Sequence, residues 1–261
     1  MAGASERPRQ GLRATLMNER REVVARRTDY LLDDGRWCLG GEAPATGIPV
    51  ILATKMGARI CRWRQAQLSA CIELLPKDRI LAAAMSPSGT RAALAEGSAI
   101  SLWDTGTGKP QQRLSGHGGD VLALAFAGER TLLSASADGT VRRWDLISRG
   151  AKPLVLLGHR GRVTAVASWG EEGYIATGGE DRTLRLWDED SGRQLVAIEN
   201  LPAGVKSVHF AARGRVLLVL LSNGEALMVE VGDQDFMRLG CSLLAGQPEG
   251  AAVATLCKSL Q

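Results

Sequence analysis

Aromatic side chains are scarce: they make up 4% of the 261 residues, as six Trp, three Phe and two Tyr. No window holds eighteen consecutive apolar residues, so a typical membrane-spanning helix is excluded. The basic amino-terminal stretch is followed by no apolar run, which argues against a secretory signal, and its three Glu argue against an organelle transit peptide. The five cysteines (Cys38, Cys61, Cys71, Cys241, Cys257) form no Cys-x-x-Cys pair, and there are only three His. That composition argues against a zinc site and predicts five reduced thiols, as in a cytosolic or nuclear protein. The 31 Gly have no period, and Leu, Val, Ile and Ala are ample, so collagen and broad disorder are excluded. A chain of this length can bury a sizeable core without covalent or metal staples.

The net charge of +4 is unevenly placed. Residues 1–28 carry seven Arg and three Glu, which accounts for all of it, while the remainder has 25 basic and 25 acidic residues. A neutral body with a basic arm is not the footprint of a nucleic-acid-binding face. The arm reads as a solvated, flexible terminus, with contact to RNA or to an acidic partner as the alternative.

What the chain does have is a period near forty residues. Trp-Asp occurs at 103–104, 144–145 and 187–188, spaced 41 and 43 apart, with Trp63 forty residues upstream and Met228 41 downstream. Segments with alternating apolar residues end on these positions, as in Ile100-Ser-Leu-Trp103 and Leu184-Arg-Leu-Trp187. Turn signals precede them, another apolar run comes before each turn, and a polar turn and a fourth run follow. Four short strands per forty residues predict the blades of a β-propeller. His117 and His159, each preceded by Gly, stand 27 and 28 residues before their Trp, and Asp138 and Asp181 stand six residues before.

On these motifs the chain resembles the WD-repeat β-propeller family over roughly residues 35–231. The resemblance implies an all-β fold of four-stranded antiparallel blades, with five clear units inside 29–241. It also implies a buried polar network in two of them: His117, Ser134, Asp138 and Trp144 in one, and His159, Thr177, Asp181 and Trp187 in the next. Elementary chemistry agrees. A buried indole N–H needs an acceptor, which Ser or Thr supplies; its hydroxyl can donate to His, and the turn Asp orients the ring. A hydrolase reading of His, Ser and Asp fails because the trio recurs at equivalent positions and no Gly-x-Ser-x-Gly elbow is present. His209, at an alternate position of Val205-Lys-Ser-Val-His-Phe, reads as a strand-surface or interblade residue. No catalytic residue, cofactor or metal is expected.

The other three units are degenerate. Pro76 and Pro202 replace Gly-His, the hairpins before Trp63 and Trp103 lack the Asp, and Met228 replaces a Trp. These blades are expected to rely on apolar packing alone. Arg21 to Leu32 reads as the remnant of a preceding strand, and Phe236 to Cys241 as the fourth strand of unit five. Ala252 to Ser259 resembles a first strand, so residues 242–261 would start a sixth blade or form a short helix. The propeller is then incomplete or partner-completed, with an edge strand open to pairing with another chain. The order of hairpins and degenerate units also resembles the WD-repeat subunit of the complex that matures the pre-60S ribosomal particle, a family of non-catalytic scaffolds. That resemblance implies a nuclear role in ribosome biogenesis; a general adaptor in multiprotein complexes is the alternative. Partner contacts are expected on the face lined by the starts of the first strands and the b–c turns, at Asp120, Arg160, Arg162, Glu180, Arg182 and Lys206.

Overall fold

Short runs with β-branched and alternating apolar residues, punctuated by Gly, Asp and Pro turns, form strands throughout. The structure, a computed structural model, describes residues 14–17, 23–27, 36–39, 48–54, 57–64, 67–74 and 76, and then 79–231 apart from 149, 171, 172, 212 and 213; before residue 79 it describes side chains only at 51, 57–61, 71–74 and 76. The expected strands at 236–241 and 252–259, and the alternative helix, lie outside these residues, as does the Trp63 side chain. Within the amino-terminal basic segment β1 (Ala14–Met17) pairs antiparallel with β2 (Val23–Arg27).

Five antiparallel sheets follow, each made from consecutive strands. Blade one holds β3 (Arg36–Leu39), β4 (Ile48–Thr54), β5 (Gly57–Arg64) and β6 (Gln67–Leu74). Blade two holds β7 (Ile80–Met85), β8 (Arg91–Glu96), β9 (Ala99–Asp104) and β10 (Pro110–Leu114). Blade three holds β11 (Val121–Ala127), β12 (Thr131–Ser136), β13 (Val141–Asp145) and β14 (Leu154–Leu156). Blade four holds β15 (Val163–Trp169), β16 (Tyr174–Gly179), β17 (Leu184–Asp188) and β18 (Gln194–Ile198). Blade five has three described strands, β19 (Val205–Ala211), β20 (Val216–Leu221) and β21 (Ala226–Glu230). The all-β reading with four-stranded antiparallel units is therefore what the chain adopts.

The core lies between blades. Ile51, Ile60 and Leu74 of blade one pack with Leu94 and Trp103 of blade two. Ile100 and Leu114 of blade two pack with Leu132 and Trp144 of blade three. Leu133 and Leu156 of blade three pack with Ile175 and Trp187 of blade four. Leu184 and Leu186 of blade four pack with Val208, Leu217 and Val219 of blade five. The three Trp that head the repeat thus each wedge against the preceding blade. A buried Trp contributes more apolar area than any other side chain, and so these three are placed where sheets meet.

Two expectations are corrected here. Cys61 and Cys71 are joined in a disulfide, with Cα atoms 4.0 Å apart, and so the thiols are not all reduced. They stand ten residues apart in sequence, on the adjacent strands β5 and β6, where a register shift between Ile60 and Arg62 lets them meet. Sequence spacing alone does not show a cross-strand pair. Met228, expected to fill a core position, is 72% exposed and lies opposite Leu218, itself 41% exposed, on the outer face of blade five.

Candidate functional site

The two expected networks form, in matching geometry. In blade three Trp144 Nε1 donates to Ser134 Oγ at 2.8 Å, and Ser134 Oγ lies 2.7 Å from His117 Nε2. Because the indole can only donate, the Ser hydroxyl accepts from it and donates its own O–H to His117 Nε2. His117 Nδ1–H then donates to Asp138 Oδ2 at 2.9 Å. Asp138 also accepts from the backbone N–H of Gly118 and Thr140, both at 2.9 Å, and from the Thr140 hydroxyl at 2.7 Å. Blade four repeats the chain: Trp187 Nε1 to Thr177 Oγ1 at 2.9 Å, Thr177 to His159 Nε2 at 2.8 Å, and His159 Nδ1 to Asp181 Oδ2 at 2.9 Å. Asp181 accepts in turn from the Arg160 N–H at 2.9 Å and from the Thr183 hydroxyl at 3.0 Å.

Burial works against the charge on both Asp, but the hydrogen bonds outweigh it and hold the carboxyl groups below their ordinary range. Burial lowers both His against the opposing pull of the Asp, so the rings stay neutral at pH 7. The arrangement has the connectivity of a catalytic triad but not its chemistry. Ser134 and Thr177 are 0% exposed, and each hydroxyl oxygen already accepts the indole proton. A nucleophile needs a free lone pair within reach of substrate. These groups instead tie the loop before the first strand, the b–c turn and strand c into one unit.

The Gly before each His has a steric reason. Gly116 stands at φ 144°, a backbone conformation that side chains rarely adopt, and a side-chain carbon on Gly158 would sit 3.1 Å from the Trp187 ring. The Asp after each Trp also has a task that its spacing did not disclose. Asp104 Oδ1 accepts from the N–H of Thr107 and Gly106, Asp145 Oδ1 from Ile147, and Asp188 Oδ1 from Ser191. Each Asp closes the polar turn leading to the fourth strand.

Blade two departs from the expectation of apolar packing alone. Trp103 Nε1 donates to Ser101 Oγ at 2.8 Å, Ser101 donates to Glu96 Oε1, and Arg113 Nη1 donates to Glu96 Oε2 at 3.1 Å. The Glu96 side chain is 1% exposed and that of Arg113 is 43% exposed. The indole requirement is the same, but the acceptor sits two residues before Trp on its own strand. Thr140 and Thr183, each two residues after the turn Asp, were also overlooked; their recurrence at one offset in two repeats was a readable signal.

The six residues expected on the partner face are all exposed, and most stand on adjoining backbone. Arg160 and Arg162 lie in the loop before β15, and Glu180 and Arg182 in the turn between β16 and β17. The Glu180 N–H bonds the Arg162 carbonyl at 2.9 Å, and the Leu201 N–H bonds the Arg182 carbonyl at 3.0 Å. Lys206 is the second residue of β19, and Asp120 holds the place in blade three that Arg162 holds in blade four. His209 is exposed on β19. Among the described residues no cluster of three His, Cys, Asp or Glu is placed to hold a metal ion.

Residues 108–145 and 151–188 match the model of the WD domain, G-beta repeat. These two stretches are similar to WD40 repeats. They run from β10 through β13 and from β14 through β17, so each supplies the first three strands of blade three or blade four, and blades one and two are four-stranded sheets of the same antiparallel order. A guanine nucleotide-binding protein subunit beta of Oryza sativa subsp. japonica is 33% identical over 141 residues, covering 48% of this chain and 36% of the relative. The WD repeat-containing protein srw1 of Schizosaccharomyces pombe is 25% identical over 171 residues, covering 64% of this chain and 31% of the relative. The matched region thus spans about a third of the length of these relatives. A chain in the crystal structure of a mitotic checkpoint complex superposes with a TM-score of 0.64 at 19% identity, over 74% of this chain and 62% of the other, which shows a shared fold. None of these names a ribosome-assembly factor.

Proposed function

We propose that this WD40 chain is a non-catalytic docking scaffold. It holds partner proteins in a multiprotein complex through the loop end that carries Asp120, Arg160, Arg162, Glu180, Arg182 and Lys206. One observation carries the reading: the His, Ser or Thr, Asp and Trp side chains of the two networks are consumed by one another, while the charged side chains at this end are exposed on loops braced by those networks. Rigid loops presenting charge suit recognition of another protein. The named relatives, a G-protein beta subunit and a WD-repeat protein, favour a general adaptor over the ribosome-assembly role. Cross-linking mass spectrometry on the full chain in its native complexes tests it. Cross-links from Lys206 and from carboxylates at this end to other proteins are expected. Partner cross-links confined to the outer strands β14 and β18 would remove the reading.

A further inference from the structure

Blades three, four and five share the same four-residue turn between strands b and c: Ala137-Asp138-Gly139-Thr140, Glu180-Asp181-Arg182-Thr183 and Ser222-Asn223-Gly224-Glu225. In each, the N–H of the third residue bonds the carbonyl three residues back, from Gly139 to Ser136, from Arg182 to Gly179, and from Gly224 to Leu221. The third residue is left-handed in all three, with φ of 83° at Gly139, 58° at Arg182 and 91° at Gly224. This conformation is disfavoured for any residue bearing a Cβ. The fold asks for Gly, and two of the three turns supply it. Arg182 is the exception, and strain kept at one repeat and absent from its equivalents points to a task other than folding.

The neighbours of Arg182 depart from blade three in the same direction. Gly118 and Arg160 each give a backbone N–H to the turn Asp, and Asp120 and Arg162 each give a carbonyl to the turn. These shared tasks use backbone only, so the fold is indifferent to the side chains. Blade three places Gly, Asp and Gly at these positions; blade four places Arg160, Arg162 and Arg182. Lys206 extends the cluster, two residues after Gly204, where a side-chain carbon would sit 3.3 Å from the Glu180 Cα. The surface carboxylate among them is Glu180, 3.6 Å from Arg162 Nε, while the oxygens of Asp181 are taken up by the internal network.

Resting on the docking reading above, we propose that the Arg160–Arg162–Arg182–Lys206 cluster at the loop end of blade four is a binding site for an acidic, carboxylate-rich peptide segment of the partner protein. Four exposed cations on adjoining backbone, with one of them paired to Glu180, complement a short run of Asp and Glu, and guanidinium forks pair with carboxylates in two-point geometry. The neutral body outside the amino-terminal segment and the small extent of the cluster favour a peptide over a nucleic-acid backbone, which would need a longer basic track.

The test uses the full chain and a fluorescein-labelled hexaglutamate peptide, with hexalysine and oligouridylate as comparison probes. Hexaglutamate is expected to bind, more weakly as salt is added, with little binding of the other two. Arg182→Gly is the decisive variant, because it removes the charge and relieves the backbone. Its melting temperature should hold or rise while hexaglutamate affinity falls about tenfold. The triple variant R160G/R162D/R182G, which carries the residues of blade three, should fold and lose binding. Unchanged affinity in folded Arg182→Gly, or tighter binding of oligouridylate than of hexaglutamate, would overturn the proposal. If hexaglutamate fails to bind while partner cross-links persist at this end, the acidic specificity falls and the docking reading stands. If those cross-links are absent as well, both fall.

Discussion

Blade two and blades three and four meet one requirement in two ways, since each buries a Trp whose N–H must find an acceptor. In blades three and four the acceptor is a hydroxyl on strand b, and the path runs through a neutral His to an Asp in the turn. It binds the loop before the blade to the blade itself. In blade two the path stays within the sheet, from Ser101 on strand c to Glu96 at the end of strand b and Arg113 on strand d. The first solution braces an exposed loop against the blade, and the second braces the sheet alone. A missing motif therefore does not mean a missing network: Trp103 of blade two finds a hydroxyl outside the repeat pattern, whereas Trp169 Nε1, off the repeat positions, is buried with no hydrogen-bond partner among the described residues.

The largest effect should come from breaking the blade-two solution. Arg113→Ala removes the ion pair to the buried Glu96 carboxylate. A loss of about 2–3 kcal/mol in urea unfolding is expected, less than the roughly 3–5 kcal/mol of a fully buried ion pair because Arg113 is partly exposed. A loss under about 0.5 kcal/mol, typical of surface positions, would show that apolar packing holds blade two. Next, Trp144→Phe and Asp138→Ala should each cost about 1–3 kcal/mol, with the double variant costing less than the sum because one network is removed twice. Asp138→Ala combined with Trp103→Phe should be additive, since those residues serve different networks. Coupling of the second pair and additivity of the first would erase the contrast between the blades.

Acid should distinguish the blades more gently. His117 and His159 have lowered pKa values in the fold, so the unfolded chain takes up protons first as pH falls below about 6.5. Their contribution is present in full above that pH and declines beneath it. Asp138 and Asp181, also lowered, contribute above about pH 4, and that contribution is lost as pH falls further. Both effects have the same sign. Hydrogen exchange at pH 5.5 against 7.5 should show protection falling in β13 and β17 before β9; uniform loss would contradict the assignment. The smallest effect is expected at Met228→Ala. With 72% of the residue exposed no cavity forms, and a change within about 0.5 kcal/mol should be seen in the same melts.

Much of this was legible in the residues. The forty-residue period, the Gly-His and Trp-Asp pairs and the turn Asp placed four-stranded blades and both His networks, because one unit recurs and each recurrence constrains the others. The substitute network of blade two was not legible: Ser101, Glu96 and Arg113 fit no repeat offset, and only strand pairing brings them together. Met228 kept the register of a core Trp, but burial depends on what covers a face as well as on which way it points. The sequence by itself determined the repeat, the strand alternation and the internal polar chemistry, since these depend on local periodicity and hydrogen-bonding capacity. Only the tertiary structure decided which cysteines meet, which apolar side chains stay exposed, and that Arg182 occupies a backbone conformation its equivalents leave to Gly. Those depend on residues distant in the chain and on the backbone path that joins them.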